Sequence, residues 1–211
     1  MDNIDYKELY TLQDKVLDII FSFQNDFFLT GGTALSRFYY EKRYSDDLDF
    51  FTYNSNSFYA DIKEIKQKLL QEFELNVEVE TKDFVRFLVD KKLQIDFVND
   101  RVYRYGKSKI LKNGYKIDNI KNILANKLTA IMGRDNPKDI FDLYLISEFE
   151  DVDWDEILSI SKEKLVYQKE ELITRLQTFP ITWIKNIKLI DKDFLDDFEI
   201  KYQQLIKKIA Y

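Results

Sequence analysis

Strand-like alternation in this chain is confined to the stretch between Phe27 and Val98, and from Asp118 onward the apolar spacing is helical. That segregation predicts an α+β fold in which a sheet-bearing core is followed by a C-terminal helical region. The natural division lies within Asn113–Asp118 and gives an expected core of residues 1–117 and a helical region of 118–211. A chain of 211 residues is long enough to bury a core without disulfide or metal support, as one domain with an appended subdomain.

Local patterns fill in the order. Leu9, Leu12, Val16, Ile19, Ile20 and Phe23 recur at three-and-four spacing and predict an amphipathic helix from Tyr6 to Phe23. Phe27–Leu29 form a short apolar run that ends on Gly31-Gly32, and helical spacing begins again at Ala34. The segments 47–52, 75–81, 84–90 and 93–98 read as strands, with Asp90-Lys91-Lys92 as a hairpin turn. Ser57 is expected to cap a helix reaching Phe73, Asp118 to cap a helix that Gly133 stops, and Pro137 to open the next one, running to about Glu148. The spans 155–164, 169–178 and 193–209 complete the helical region.

Missing residue types exclude whole chemistries. The chain has no cysteine, so disulfides, thiolate metal sites and cysteine nucleophiles are ruled out. It has no histidine either, which removes Ser-His-Asp triads and histidine bases. What remains is carboxylates, Lys, Arg, Tyr, hydroxyls and hard metal ions, a set suited to phosphate chemistry. The net charge of −6 argues against a protein coated for nucleic acid. Within 101–138, however, ten Lys or Arg face two Asp, which on composition alone is either a solvated helical face or a basic patch. No cationic leader with an apolar core and no membrane-length apolar stretch is visible, so a cytoplasmic protein without a membrane partner is expected.

Three features carry candidate chemistry. Gly31-Gly32 at a strand-to-helix junction can present backbone N–H groups to an anion, and Thr33 adds a hydroxyl; a simple tight turn explains Gly-Gly equally well in isolation. Asp47 and Asp49 lie two apart on an expected strand, so both carboxylates share a face while Leu48 and Phe50 point to the core. Such a pair is tolerated if solvated or if a divalent cation bridges it, and oxygen ligands select magnesium or manganese. Asp96, in the alternating LQIDFV, needs a partner or water.

Together with GGTAL at 31–35, RYSDDLDFF at 43–51 and KLTAIMGRDNPKDIFDL at 127–143, these residues resemble the AbiEii/AbiGii nucleotidyltransferase toxin family, within the polymerase-beta-like superfamily. The resemblance spans about 29–143, and the remaining helical part matches no motif. It implies a mixed sheet flanked by helices, with Gly31 and Gly32 cradling a triphosphate and Thr33 touching a phosphate. Asp47 and Asp49 would bind two magnesium ions, manganese being an alternative, and Asp96 would complete the nucleophile-side site. Lys127 would neutralise phosphate charge, while Arg43 and Arg134 would either bind phosphate or brace the carboxylates. Ser45, Lys138, Asp139 and Asp142 are the supporting positions of the same blocks; without the resemblance, Lys138 and Asp142 read as a surface ion pair one helical turn apart.

The implied activity is transfer of NMP from an NTP to an acceptor hydroxyl, with release of pyrophosphate. The acceptor would be a tRNA end or another RNA, and the role that of a toxin paired with an antitoxin or acting in phage defence. Two alternatives stay open at this point: an antibiotic-modifying nucleotidyltransferase, and a catalytically silent nucleotide-binding module.

Overall fold

A computed structural model describes residues 4–211, which form two compact units. The first runs from the start of the described chain to Ala34 and adds Ser45–Arg101 and Ser108–Asp118; the second takes Leu35–Tyr44, Val102–Lys107 and Asn119–Tyr211. The chain thus crosses between them several times, through segments too short to signal a boundary by composition.

The first unit opens with α1 (Tyr6–Ile20), capped by the Asp5 carboxylate on the N–H groups of Lys7 and Glu8. β1 (Phe28–Thr30) runs directly into α2 (Gly31–Phe38), so the two glycines are the first two residues of the helix. Then come β2 (Leu48–Tyr53), α3 (Phe58–Leu69), β3 (Leu75–Glu80), β4 (Phe84–Val89) and β5 (Leu93–Asp100). Two short strands not expected from the sequence, β6 (Lys109–Ile110) and β7 (Lys116–Ile117), close the unit. At two residues each they are too short to show alternation.

All seven strands form one mixed sheet in the order β3-β4-β5-β2-β1-β7-β6. The β2–β5 and β1–β7 pairs are parallel; the remaining neighbours are antiparallel. The β4–β5 hairpin turns through Asp90-Lys91-Lys92, as expected, with left-handed backbone at Asp90 (φ 50°) and Lys91 (φ 57°). Leu48, Phe50, Val85, Phe87, Ile95 and Phe97 are fully buried on one sheet face, alongside Val16, Leu17 and Ile20 of α1 and Ile65 and Leu69 of α3. Phe97 is the hub, its ring 5.0 Å from Phe27 and 5.4 Å from both Phe50 and Phe87. The alternate residues Asp49, Gln94, Asp96 and Arg86 are only partly covered and occupy the opposite face.

The second unit holds α4 (Ile120–Gly133), α5 (Pro137–Phe149), α6 (Trp154–Lys164), α7 (Lys169–Thr178) and α8 (Phe198–Ala210). Gly133 ends α4 and Pro137 opens α5 as expected, but the cap of α4 is Asn119, whose side chain accepts from the Asn122 N–H. Asp118 is instead fully buried and accepts a 2.8 Å bond from Thr30 Oγ1. Ser57 precedes α3 without capping it; its hydroxyl donates to Asp61. Asp193–Leu195 is a short 3₁₀ turn, so the last helix starts at Phe198, five residues later than its spacing suggested.

Candidate active site

Glycine at position 31 is set by two constraints. Its φ of +69° is left-handed, and a Cβ there would lie 2.6 Å from Asp49 Oδ2. The Asp49 carboxylate therefore rests against the first turn of α2, where helix N–H groups lack intrahelical partners. β1 and β2 pair Thr30 with Asp49, and the parallel β2–β5 pair puts Asp49 opposite Asp96. Asp49 thus lies beside the diglycine bend and in register with Asp96.

Asp47 is exposed, just before β2, on a loop held by α1 and α2. Thr33 Oγ1 hydrogen bonds to the Asp47 carbonyl and lies 2.8 Å from Ser45 Oγ. Tyr10 accepts from the Ser45 N–H at 3.1 Å, and the fully buried Gln13 amide donates to the Ser45 carbonyl at 3.2 Å. Tyr6 donates to the Asp46 carboxylate at 2.7 Å. Thr33, 1% exposed, has its hydroxyl committed to this loop. Beside Asp47 lies a groove of about 1140 Å³ whose lining includes Leu9, Leu12, Leu88 and Gln94.

Asp96 has a cationic partner. Arg86 on β4 donates from Nε to Oδ1 and from Nη2 to Oδ2, both at 2.7 Å, a planar fork onto both carboxylate oxygens. Gln94 Nε2 adds a 3.4 Å contact to Oδ2. The hydrogen-bonded Asp96 raises the Arg86 pKa above its ordinary value despite partial desolvation, and the charges of Glu78 and Asp47 contribute. An all-oxygen donor set suits a hard divalent cation. As the side chains stand, however, no group of three acidic residues placed to hold a metal occurs among the described residues.

In the second unit the remaining motif residues form one ionic cluster. Arg43 (1% exposed) forks onto Asp142 (0%) with Nε–Oδ1 at 2.7 Å and Nη2–Oδ2 at 2.8 Å. Lys127 Nζ lies 2.6 Å from Asp142 and 2.9 Å from Asp139, and Arg134 Nε reaches Asp139 at 2.7 Å. Burial alone would raise the carboxyl pKa values, but Arg43 and Lys127 at Asp142, and Lys127 and Arg134 at Asp139, hold both below the usual range. Burial pushes the Lys127 ammonium down, and Asp142 and Asp139 more than reverse it. Asp142 is therefore a buried anion held by Arg43 and Lys127, which corrects the reading of it as half of a surface pair with Lys138. Of the three cations, Arg134 is the exposed one, with 61% of its side chain accessible.

The family model for the AbiEii nucleotidyltransferase toxin, of type IV toxin–antitoxin systems, matches residues 16–211. The chain belongs to the AbiEii nucleotidyltransferase toxin family. An uncharacterized protein of Aquifex aeolicus (strain VF5), aq_aa25, is 30% identical over 153 residues, and the match spans 66% of each chain, just under two thirds. The crystal structure of JHP933 from Helicobacter pylori superimposes with a TM-score of 0.60 at 17% identity, covering 100% of this chain and 95% of that one. MenT4, a nucleotidyltransferase toxin of Mycobacterium tuberculosis H37Rv, gives a TM-score of 0.54 at 13% identity over 97% and 93% of the two chains. These likenesses establish the nucleotidyltransferase fold. Among the described residues no helix is long and apolar enough to cross a membrane.

Against this AbiEii-family background, the sequence reading left out Arg86, Tyr10 and Gln13. Arg86 was findable: counting outward from the expected turn at Asp90–Lys92 pairs Val89 with Leu93 and so Arg86 with Asp96. Gln13 carries no such signal, because its contact depends on how α1 lies against the loop at Ser45.

Proposed function

We propose that this protein transfers a nucleoside monophosphate from an NTP to an acceptor hydroxyl, with pyrophosphate as leaving group. The observation that carries the reading is Asp49 packed against Gly31 at the start of α2 with Asp96 in register beside it. Phosphoryl transfer depends mainly on positioning and charge compensation, which carboxylates, amides and cations supply without a histidine.

The N–H groups of the α2 first turn would receive triphosphate oxygens, where the helix dipole favours negative charge. Thr33, Ser45, Tyr10 and Gln13 would hold Asp47 at a fixed place relative to that turn. Two magnesium ions, or manganese, held by Asp47, Asp49 and Asp96 would supply the Lewis-acid chemistry that stabilises charge on the transferring group. The groove beside Asp47 gives an acceptor room to approach. In the second unit we assign Arg43, Lys127 and Arg134 to bracing Asp139 and Asp142.

The acceptor we favour is the end of a tRNA or another RNA, with an antitoxin as cognate partner, in keeping with the type IV toxin–antitoxin family. Incubation with magnesium, each α-labelled NTP and total tRNA should label RNA, and Asp49→Asn should abolish labelling while melting like the wild type. Label on an aminoglycoside instead would move the acceptor to small molecules. Transfer that survives intact in both Asp47→Asn and Asp49→Asn would remove the assignment of the site.

A further inference from the structure

Asp49, Asp96 and Arg86 stand in one row across three neighbouring strands, β2, β5 and β4. Two carboxylates directly opposite one another destabilise a sheet, and one that is only 13% exposed needs a charge partner. Arg86 supplies that partner through both oxygens of Asp96. Among the described residues no three carboxylates stand together as a cation-holding group while the fork is in place. A guanidinium cannot give up its proton, so its charge leaves Asp96 only if the side chain moves. Arg86 is one-third exposed, so solvent is open to its guanidinium once the fork is released.

We propose that Arg86 is a resident cation that holds and neutralises Asp96 until a divalent ion takes its place, so that binding of the ion and release of the Arg86–Asp96 fork are a single exchange. The proposal rests on the nucleotidyltransferase reading above, in which Asp96 joins Asp47 and Asp49 around a cation. Arg86 is on this view a positioning residue: it acts on the reaction through Asp96, and it sets the metal concentration at which the site assembles.

The test uses the full chain without nucleotide, with Mn²⁺ binding followed by the electron paramagnetic resonance signal of the free ion. Arg86→Gln removes the competing charge and should bind Mn²⁺ about tenfold tighter than wild type, the order expected for one displaced unit charge near a divalent ion at a partly hydrated site. Arg86→Lys keeps the charge and should stay near wild type, whereas Asp49→Asn should lose binding. Binding lost in Asp49→Asn but equal or weaker in Arg86→Gln than in wild type overturns the exchange and leaves the cation site standing. Binding absent from wild type and Arg86→Gln alike, or indifferent to Asp49→Asn, overturns both. Should Arg86→Gln fail to fold, the wild type decides by itself. Its Arg86 Nε–H nuclear magnetic resonance signal, assigned by its disappearance in Arg86→Lys, should shift or broaden as Mg²⁺ is added, and a signal unchanged at saturating Mg²⁺ refutes the proposal.

Discussion

The Asp49 carboxylate occupies the space that Gly31 leaves by having no side chain, with Oδ2 only 2.6 Å from where a Cβ would stand. Gly31→Ala meets both that contact and a φ of +69°, so the expected cost is about 1–3 kcal/mol of stability, the range for a non-glycine residue in a sparsely populated backbone region. Transfer activity should fall further than stability does, because the methyl group displaces Asp49 itself. Chemical denaturation and a labelling assay at a temperature where the variant is folded separate the two effects.

Thr33→Val keeps the shape of a buried side chain and deletes its hydroxyl. Loss of the bond to the Asp47 carbonyl should cost about 1–2 kcal/mol. If Thr33 serves to place Asp47, kcat should drop by about tenfold, equivalent to ~1.4 kcal/mol in the barrier, with the KM for NTP little changed. A raised KM at constant kcat would return Thr33 to direct phosphate binding.

Arg43→Met strips one cation from Asp142, which is fully buried. Breaking a buried pair from one side costs about 3–5 kcal/mol, so the variant should be strongly destabilised or fail to fold. Arg43→Met combined with Asp142→Leu should recover part of the loss, because no uncompensated carboxylate then remains. Urea denaturation of the two proteins checks the order.

Acid should act through the same cluster. The folded pKa values of Asp139 and Asp142 lie below the ordinary value, so their contribution to stability is whole above the usual aspartate range of about pH 4 and is lost as pH falls through the depressed values. Lys127 is raised, so its contribution is whole at neutral pH and lost only at alkaline pH above the ordinary lysine range. Urea midpoints measured from pH 7 to pH 3 should fall steeply at the acid end for wild type and less steeply for Asp139→Asn. An equal slope would exclude Asp139 from the acid response.

Alternation was a good guide wherever one face of a strand is buried, because the period of two then has a physical cause. The burial of Leu48 and Phe50 against the partial exposure of Asp49 is one case, and Ile95 and Phe97 against Asp96 is another. The reading failed where a contact depends on distant chain. Asp118 looked like a helix cap, yet Thr30, 88 positions away in sequence, claims its carboxylate. Asp142 looked like a surface residue one turn from Lys138, yet Arg43, 99 positions away, makes it a buried anion. Residue types and local spacing were legible; the partner of each charge was not, because partners are chosen by the packing of remote segments.

The β4–β5 hairpin joins Arg86 to Asp96 through a three-residue turn, whereas β2 can reach β5 only after α3, β3 and β4 have been traversed. Hairpins close in microseconds, and pairings between distant segments form later because loop entropy must first be overcome. This ordering predicts that Asp96 acquires its arginine before Asp49 arrives, so that the second acid joins a neutral pair instead of a bare charge. A kinetic analysis should find the hairpin residues structured in the folding transition state and Asp49 not, and Arg86→Gln should slow refolding more than it speeds unfolding.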